Sequence, residues 1–294
     1  MSTRQIVGLL TGFCLFAVAI VVSGQAPATQ APATAPAAAA PAVPRITLAP
    51  GLTDVPDYNQ FKGQPPAVSV PDGFTPIFNG RDLSGWHISK TARHGHTPDF
   101  RVVHGVIVGT QQPWGQGGLL ITDKQYKDFE MSLEVKPDWG CDSGIFFRTT
   151  ESGAAYQITM DYLGNGNGGL ARMIAEGGIS LGNRAGGAGA AAGGGAAGTR
   201  AGGAGAAAPQ PPSAASLAWK REDWNLVRIR VEGEAPKLTV WINGQLVNEQ
   251  QDTANHALGG MYEGPIALQV HGGAERWVPA GFWRWRNIGI RELP

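Results

Sequence analysis

Glu134, Arg148, Gln269 and His271 are the side chains whose types and spacing admit chemistry. A carboxylate or an imidazole moves protons, a guanidinium steadies a developing negative oxygen, and a planar amide bonds hydroxyls. Trp139, Trp114, Trp277, Trp283 and Trp285 add aromatic surface. Aromatic faces stack on the C–H groups of sugars while planar polar groups hold the hydroxyls, so this set of residue types suits a carbohydrate. Each member also has an ordinary reading. Glu134 with Arg148 reads equally as a cross-strand ion pair worth a fraction of a kcal/mol. Trp283 and Trp285 read first as core, and His271 reads first as a hydrogen-bonded structural group.

Other spacings carry less. His94 and His96, with His87 and His104 nearby, have no Cys or carboxylate cluster beside them to complete a metal site. Gly164 to Gly169 reads GNGNGG, but no amphipathic helix follows it to cap a phosphate. HGGA at His271 lacks the G-x-S-x-G elbow that would make it an oxyanion loop. No cofactor is evident, although acidic loops such as Asp138 and Asp142 leave a divalent cation open.

These side chains need strands to position them. Phe129, Met131, Leu133 and Val135 alternate with Glu130, Ser132, Glu134 and Lys136, which puts four apolar groups on one face of a sheet and four polar ones on the other. Pro137, Asp138, Trp139 and Gly140 read as a short turn, and Ser143 to Thr149 as a second strand with Ile145 and Phe147 inward and Arg148 outward. That is a hairpin with Glu134 and Arg148 on one open face. Pro265 to His271 buries Ile266, Leu268 and Val270 and leaves Gln269 and His271 opposite. Trp224–Val231, Lys237–Ile242 and Phe282–Leu293 are further strands, with a hairpin turn at Asn243-Gly244. Phe100–Thr110 reads as another hairpin, turning at His104-Gly105. About a dozen strands and no 3.6-residue pattern predict an all-β fold, a two-sheet antiparallel sandwich or jelly roll.

Of the 294 residues, many lie outside that fold. Residues 1–24 carry Arg4, an apolar run of about 17 residues and a small-residue end, the layout of a secretory signal peptide. Residues 25–44 form an Ala/Pro-rich linker that offers nothing to bury, and 45–70 an irregular lead-in. Residues 184–212 are a Gly/Ala-rich insert, read as a long disordered loop inside the 71–294 domain. With the leader removed Cys141 is the only cysteine, so a disulfide is excluded and a packed filler role expected. Equal numbers of basic and acidic residues, 23 each, and the lack of a basic tract argue against nucleic acid. The expected location is periplasmic or secreted, with no membrane contact after cleavage.

GFTPIFNGRDLSGW, FRVVHGVIVG, GGLLITDKQYKDFEMSLEVK, DSGIFFRT, DWNLVRIRV, LTVWINGQLV, GPIALQVHG and WRNIGIREL occur in order. In this the chain resembles the 3-keto-disaccharide hydrolase family, from about Pro71 to Leu293 without the glycine-rich insert. The resemblance implies a concanavalin A-like jelly roll and a glycoside substrate already oxidised to a ketone at C3, made by a sugar 3-oxidoreductase acting upstream. It further implies removal of the C2 proton, elimination at C1 and hydration. By position in the motifs, His271 or Glu134 would be the base and Arg148 would steady the enolate. Gln157, Asp161 and Gln269 would hold hydroxyls, with Trp139 and Trp114 as sugar platforms. Asp142-Ser143-Gly144 stands where the family usually reads Asn-Ser-Gly. Two rival readings remain. One is a non-catalytic carbohydrate-binding module; the other is a two-carboxylate glycosidase with Asp161 opposite Glu134.

Overall fold

The computed structural model describes residues 48, 50–63, 65–91, 94–95, 98–160, 170–176 and 214–294. The chain divides into two units, Met1–Val43 and Pro44–Pro294, and the described residues all belong to the second. The leader, the Ala/Pro linker, Asp161 and the 184–212 insert lie outside them.

In chain order the strands begin with β1 (Thr75–Pro76), β2 (Trp86–Ile88), β3 (Pro98–Val103) and β4 (Val106–Gln111). Next come β5 (Gly118–Thr122), β6 (Phe129–Val135), β7 (Gly144–Phe147), β8 (Ala155–Met160) and β9 (Leu170–Glu176). A five-residue helix, α1 (Ala214–Ala218), precedes β10 (Asn225–Glu232), β11 (Lys237–Ile242), β12 (Gln245–Gln251), β13 (Ala267–Val270) and β14 (Trp283–Glu292). The two expected hairpin turns are present. His104 and Gly105 join β3 to β4, and Asn243 and Gly244 join β11 to β12, all four at positive φ. Two consecutive left-handed residues match the twist of the flanking strands.

The strands make two antiparallel sheets, a jelly-roll sandwich. The larger runs β12-β11-β10-β6-β14-β4-β3 with β1 beside β14, and the smaller runs β2-β5-β13-β7-β8-β9. One apolar core lies between them. The larger sheet supplies Met131, Leu133, Val135, Val227, Ile229, Val240, Trp283 and Trp285; the smaller supplies Leu120, Ile145, Phe147, Tyr156, Ile158, Leu268 and Val270. The rings of Trp283 and Trp285 stack at 5.7 Å, so both belong to the core. Each such side chain, taken fully out of water, contributes roughly 1.5–3 kcal/mol.

The segment expected to be a hairpin is a crossing between sheets. β6 pairs with β10 and β14, whereas β7 pairs with β13 and β8. The connection is too long for a tight turn, and its backbone is claimed by other strands. Lys136 N–H donates to the Arg284 carbonyl and Asp138 N–H to that of Phe282, which extends the β14 ladder past the end of β6. Asp142 N–H then donates to the Arg276 carbonyl. Glu134 and Arg148 therefore sit on different sheets and form no pair.

On the outer face of the larger sheet, Glu130 is 3% exposed beneath three arginines. Arg228 reaches one carboxylate oxygen at 2.6 Å and Arg291 the same oxygen at 2.5 Å, while Arg230 holds the other at 3.1 Å. Burial would raise the carboxyl's pKa, but the hydrogen bonds from Arg228 and Arg230 outweigh it and hold it below the usual range. A depressed carboxyl contributes stability above its ordinary pKa and loses it as pH falls through the folded-state value. Glu130→Ala is expected to cost about 2 kcal/mol in urea melts at neutral pH, the scale of charge-assisted bonds between a buried acceptor and donors that can rehydrate.

Candidate functional site

Residues facing each other across the smaller sheet share a face, so its register shows which side chains meet. Phe146 on β7 lies opposite Gln157 on β8 and Ala267 on β13, and Gln269 lies opposite Leu119 on β5. This outer face carries Leu119, Ile121, Phe146, Ala155 and Ala267 as a buried apolar cluster of its own. Gln157 and Gln269 are set among them, 3% and 4% exposed. Gly144 on the intervening strand makes their meeting possible. A Cβ there would stand 2.0 Å from Gln157 Nε2, so only a bare backbone leaves room for the amide. Gln157 Nε2 donates to Gln269 Oε1 at 2.8 Å.

His94 completes this group from the loop before β3. Its Nδ1 is 3.5 Å from Gln269 Nε2, and its ring stands edge-on to Phe146 with centroids 5.5 Å apart. A Cβ at Gly153 would meet His94 Nε2 at 2.3 Å, so a second glycine clears the space for this ring. Gln157 Oε1 is buried and, among the described residues, accepts no hydrogen bond. An orphaned buried acceptor costs about 1–3 kcal/mol, which a ligand hydroxyl would recover.

His271 follows directly after β13, two residues beyond Gln269, and is half-buried. Its Nδ1–H donates to the Gly272 carbonyl at 2.5 Å. That bond selects the tautomer with the lone pair on Nε2, the form that accepts a proton. The loop is held by Gln111, whose Nε2 donates to the carbonyls of His271 (2.5 Å) and Gly273 (3.0 Å) and whose Oε1 accepts from Gly115 N–H. Beneath it, Arg276 Nε donates to Asp142 Oδ2 at 2.8 Å, and the backbone N–H of His271 reaches the Asp142 carbonyl. Asp138 and Asp142, which the sequence left open to a cation, are thus engaged by Arg284 and Arg276 respectively. Cys141 is fully buried and burial pushes its thiol pKa up, which keeps it an unreactive filler.

At the opposite end of the same face, His87 is clamped between two carboxylates. Its Nδ1 is 2.6 Å from Asp123 and its Nε2 3.0 Å from Glu151. Glu151 lies in the loop between β7 and β8, and its other oxygen accepts from Lys90 N–H. Partial burial works against a charged ring, but the hydrogen bonds to Glu151 and Asp123 outweigh it and raise the His87 pKa above its ordinary 6.5.

The remaining expected residues lie elsewhere. Glu134 is on the outer face of the larger sheet, bonded to Arg286 Nε (2.5 Å) and Asn287 Nδ2 (2.9 Å). Arg148 is fully buried. At φ +50° it breaks the alternation where β7 ends, and the side chain turns inward. Its two terminal nitrogens donate to the carbonyls of Gly233 (2.6 Å) and Glu234 (2.7 Å), with Asp128 at 3.8 Å. It cannot touch a sugar on either outer face, so the enolate role assigned to it is withdrawn. Trp139 lies in the β6–β7 crossing under the Arg221 guanidinium, away from the Gln157–Gln269 face. Trp114 is half-buried, and its indole N–H donates to the Trp277 carbonyl at 3.3 Å. The sequence reading missed His94 as a neighbour of Gln269, Arg276 beneath His271, and Glu151. Asp142-Ser143-Gly144 was the available signal, since Ser143 Oγ bonds the Gln269 carbonyl and Gly144 admits Gln157.

Two predictions follow from these positions. Arg148→Met leaves two carbonyls without donors and is expected to lower stability by about 3 kcal/mol in urea melts, the scale of breaking a buried charged network. Unchanged stability with lost activity would instead restore a direct role. A His with a raised pKa contributes stability in full below its unfolded value and loses it as pH rises through the folded one. The melting temperature of His87→Gln should therefore fall below that of the unmodified protein at about pH 6 and converge with it towards about pH 9.

Two structures called "putative glycosyl hydrolase" from Parabacteroides distasonis ATCC 8503 align at 14% and 17% identity, with TM-scores of 0.46 each. They cover 77% and 75% of this chain and 99% of theirs. Carbohydrate binding module CBM66 from Bacillus subtilis aligns at 13% identity over 71% of this chain and 96% of its own, with a TM-score of 0.39. No curated protein matches. The model of the 3-keto-alpha-glucoside-1,2-lyase-like domain matches residues 73–291, which is nearly the whole of the sandwich together with its insert, and the chain therefore belongs to that carbohydrate-active family.

Proposed function

We propose that the domain cleaves 3-keto-glycosides by elimination and hydration, on the outer face of the smaller sheet. The observation that carries this reading is the hydrogen bond from His271 Nδ1 to the Gly272 carbonyl, which leaves Nε2 to act as a base two residues beyond Gln269, itself bonded to Gln157. A ketone at C3 acidifies the C2 proton. His271 Nε2 removes it, the electron pair forms the C2–C3 enolate, and the C3 oxygen takes the negative charge. Remaining amide N–H groups of Gln157 and Gln269 supply donors for that oxygen. Collapse of the enolate expels the C1 oxygen as an alcohol once it gains a proton, and water then adds across the C1–C2 double bond. The net change is hydrolysis. Gln157 Oε1 takes a substrate hydroxyl.

This reading includes export to the periplasm or beyond, on the strength of the leader-like residues 1–24, and an upstream sugar 3-oxidoreductase that makes the ketone. The two-carboxylate alternative loses its first partner, because Glu134 lies on the far side of the sandwich.

The test is incubation with 3-keto-trehalose and with unoxidised trehalose, following free sugar by chromatography. Sugar should be released from the keto substrate alone. His271→Gln is expected to lower kcat by about 10²–10⁴-fold, the range for losing a general base, with little change in melting temperature. Binding of both sugars without release from either would establish the carbohydrate-binding module instead.

A further inference from the structure

We propose that Gln111 is a positioning residue for the base: it fixes the peptide unit between Gly272 and Gly273 and, through it, the tautomer of His271. The proposal rests on the keto-glycoside reading for the identity of the base. Gln111 is the last residue of β4, on the larger sheet, and is 1% exposed. Its amide reaches from there to the loop that follows β13 on the smaller sheet, where His271 stands.

Three hydrogen bonds close a cycle at that loop. Gln111 Oε1 accepts from Gly115 N–H at 2.7 Å, the Gly115 carbonyl accepts from Gly273 N–H at 2.9 Å, and the Gly273 carbonyl accepts from Gln111 Nε2 at 3.0 Å. The other N–H of Nε2 goes to the His271 carbonyl. Peptide planarity links this cycle to the imidazole. Gly273 N–H and the Gly272 carbonyl belong to one peptide unit, and in a trans unit the two point in opposite directions. Gly115 takes the N–H on one side, so the carbonyl faces the other, where His271 Nδ1 donates to it. The carbonyls before and after it, of His271 and Gly273, are both held by the same amide, which stops the unit between them from turning. Bare backbone lets the two loops come this close, since a Cβ at Gly117 would stand 2.4 Å from Gly272 N.

Gln111 takes no part in the chemistry itself. Both N–H groups of its amide are spent on carbonyls and the side chain is buried, so it offers a substrate no donor. Its effect is on His271. While the Gly272 carbonyl holds Nδ1–H, the lone pair stays on Nε2. Once that carbonyl turns away, either nitrogen can carry the proton and the base is divided between two forms.

The test reads the tautomer directly. In the full chain labelled with 15N-histidine, long-range proton–nitrogen correlation spectra distinguish Nδ1–H from Nε2–H, and the His271 signals are those absent from His271→Gln. At about pH 8.5, where an ordinary imidazole is neutral, His271 of the unmodified protein should carry its proton on Nδ1. Gln111→Met keeps the length of the side chain without its amide and should give a mixture of both forms. On 3-keto-trehalose it should lower kcat by about 10–100-fold, the scale of a misplaced reacting group, with KM unchanged. Gln111→Glu keeps the acceptor for Gly115 N–H while losing the amide donors. It should shift the tautomer in the same direction, which keeps the test open if Gln111→Met does not fold. An Nε2–H form of His271 in the unmodified protein, or an unshifted tautomer in the variants, would overturn the proposal. So would a lowered kcat without a change of tautomer. A shifted tautomer in a protein that releases no sugar from 3-keto-trehalose would uphold the positioning role and remove the keto-glycoside reading, so the two failures are distinguishable.

Discussion

Two sheets that share one core leave a strand residue only two directions. It points into the core or onto one of the two outer faces, and the parity of its position decides which. Met131, Leu133 and Val135 face Leu268 and Val270 across the interior, so Glu130 and Glu134 must emerge on one outside and Gln269 on the other. Among the described residues this constraint sorts the polar side chains within the strands. It gathers a tryptophan-and-arginine surface on the larger sheet and an amide-and-histidine surface on the smaller one. No local substitution moves a residue between these sets without slipping an entire strand.

Parity within a strand was legible in the sequence, because apolar alternation needs only neighbouring residues. The inward sets of β6, β10, β11 and β13 are those the alternation predicts. The turns at His104-Gly105 and Asn243-Gly244 were legible for the same reason. Strand partnership was not. Whether β6 pairs with β7 or β14 depends on which backbone groups 136–142 can reach, and these are supplied by Phe282 and Arg284, some 140 positions away. Arg148 failed by another route. A strand that ends in a left-handed residue abandons its alternation, and nothing in GIFFRT marks that residue in advance. His94 belongs to a loop whose contacts with Gln269 and Phe146 are long-range, so its role has no local signature.

Charge on the two sheets is handled in different ways. The larger sheet spreads guanidinium groups over aromatic rings, with Arg286 4.0 Å from Trp224 and Arg228 5.6 Å from Phe74; Glu134 counters Arg286, while Arg228, Arg230 and Arg291 converge on the buried Glu130. The arginines keep one side to water, so the buried carboxylate carries most of the desolvation penalty. Arg148 inverts that arrangement. Its guanidinium is wholly buried, its closest acceptors are backbone carbonyls, and the carboxylate of Asp128 stands farther off. Carbonyl dipoles take up the two terminal nitrogens without bringing a second full charge out of water, while Nε has no partner among the described residues. Such a group suits fastening the Gly233–Glu234 turn to the smaller sheet and has no freedom to follow a reacting substrate.

The Gln157–Gln269 pair has the opposite character. A fold selected for stability alone would fill an apolar patch of Leu119, Phe146 and Ala267 with another aliphatic residue, since the amides there make one mutual bond and Gln157 Oε1 has no donor among the described residues. Buried polar groups in partly satisfied networks are destabilising unless something else completes them. Two glycines, at 144 and 153, are also retained at positions where any side chain would displace Gln157 or His94. Three separate departures from good packing thus converge on one face, beside the only histidine among the described residues whose Nδ1 is committed to its neighbour's carbonyl. Departures that coincide in space and share a chemistry are what a ligand explains and packing does not. Hydroxyl groups of a sugar would complete the acceptor, and a proton on its carbon framework would meet the base.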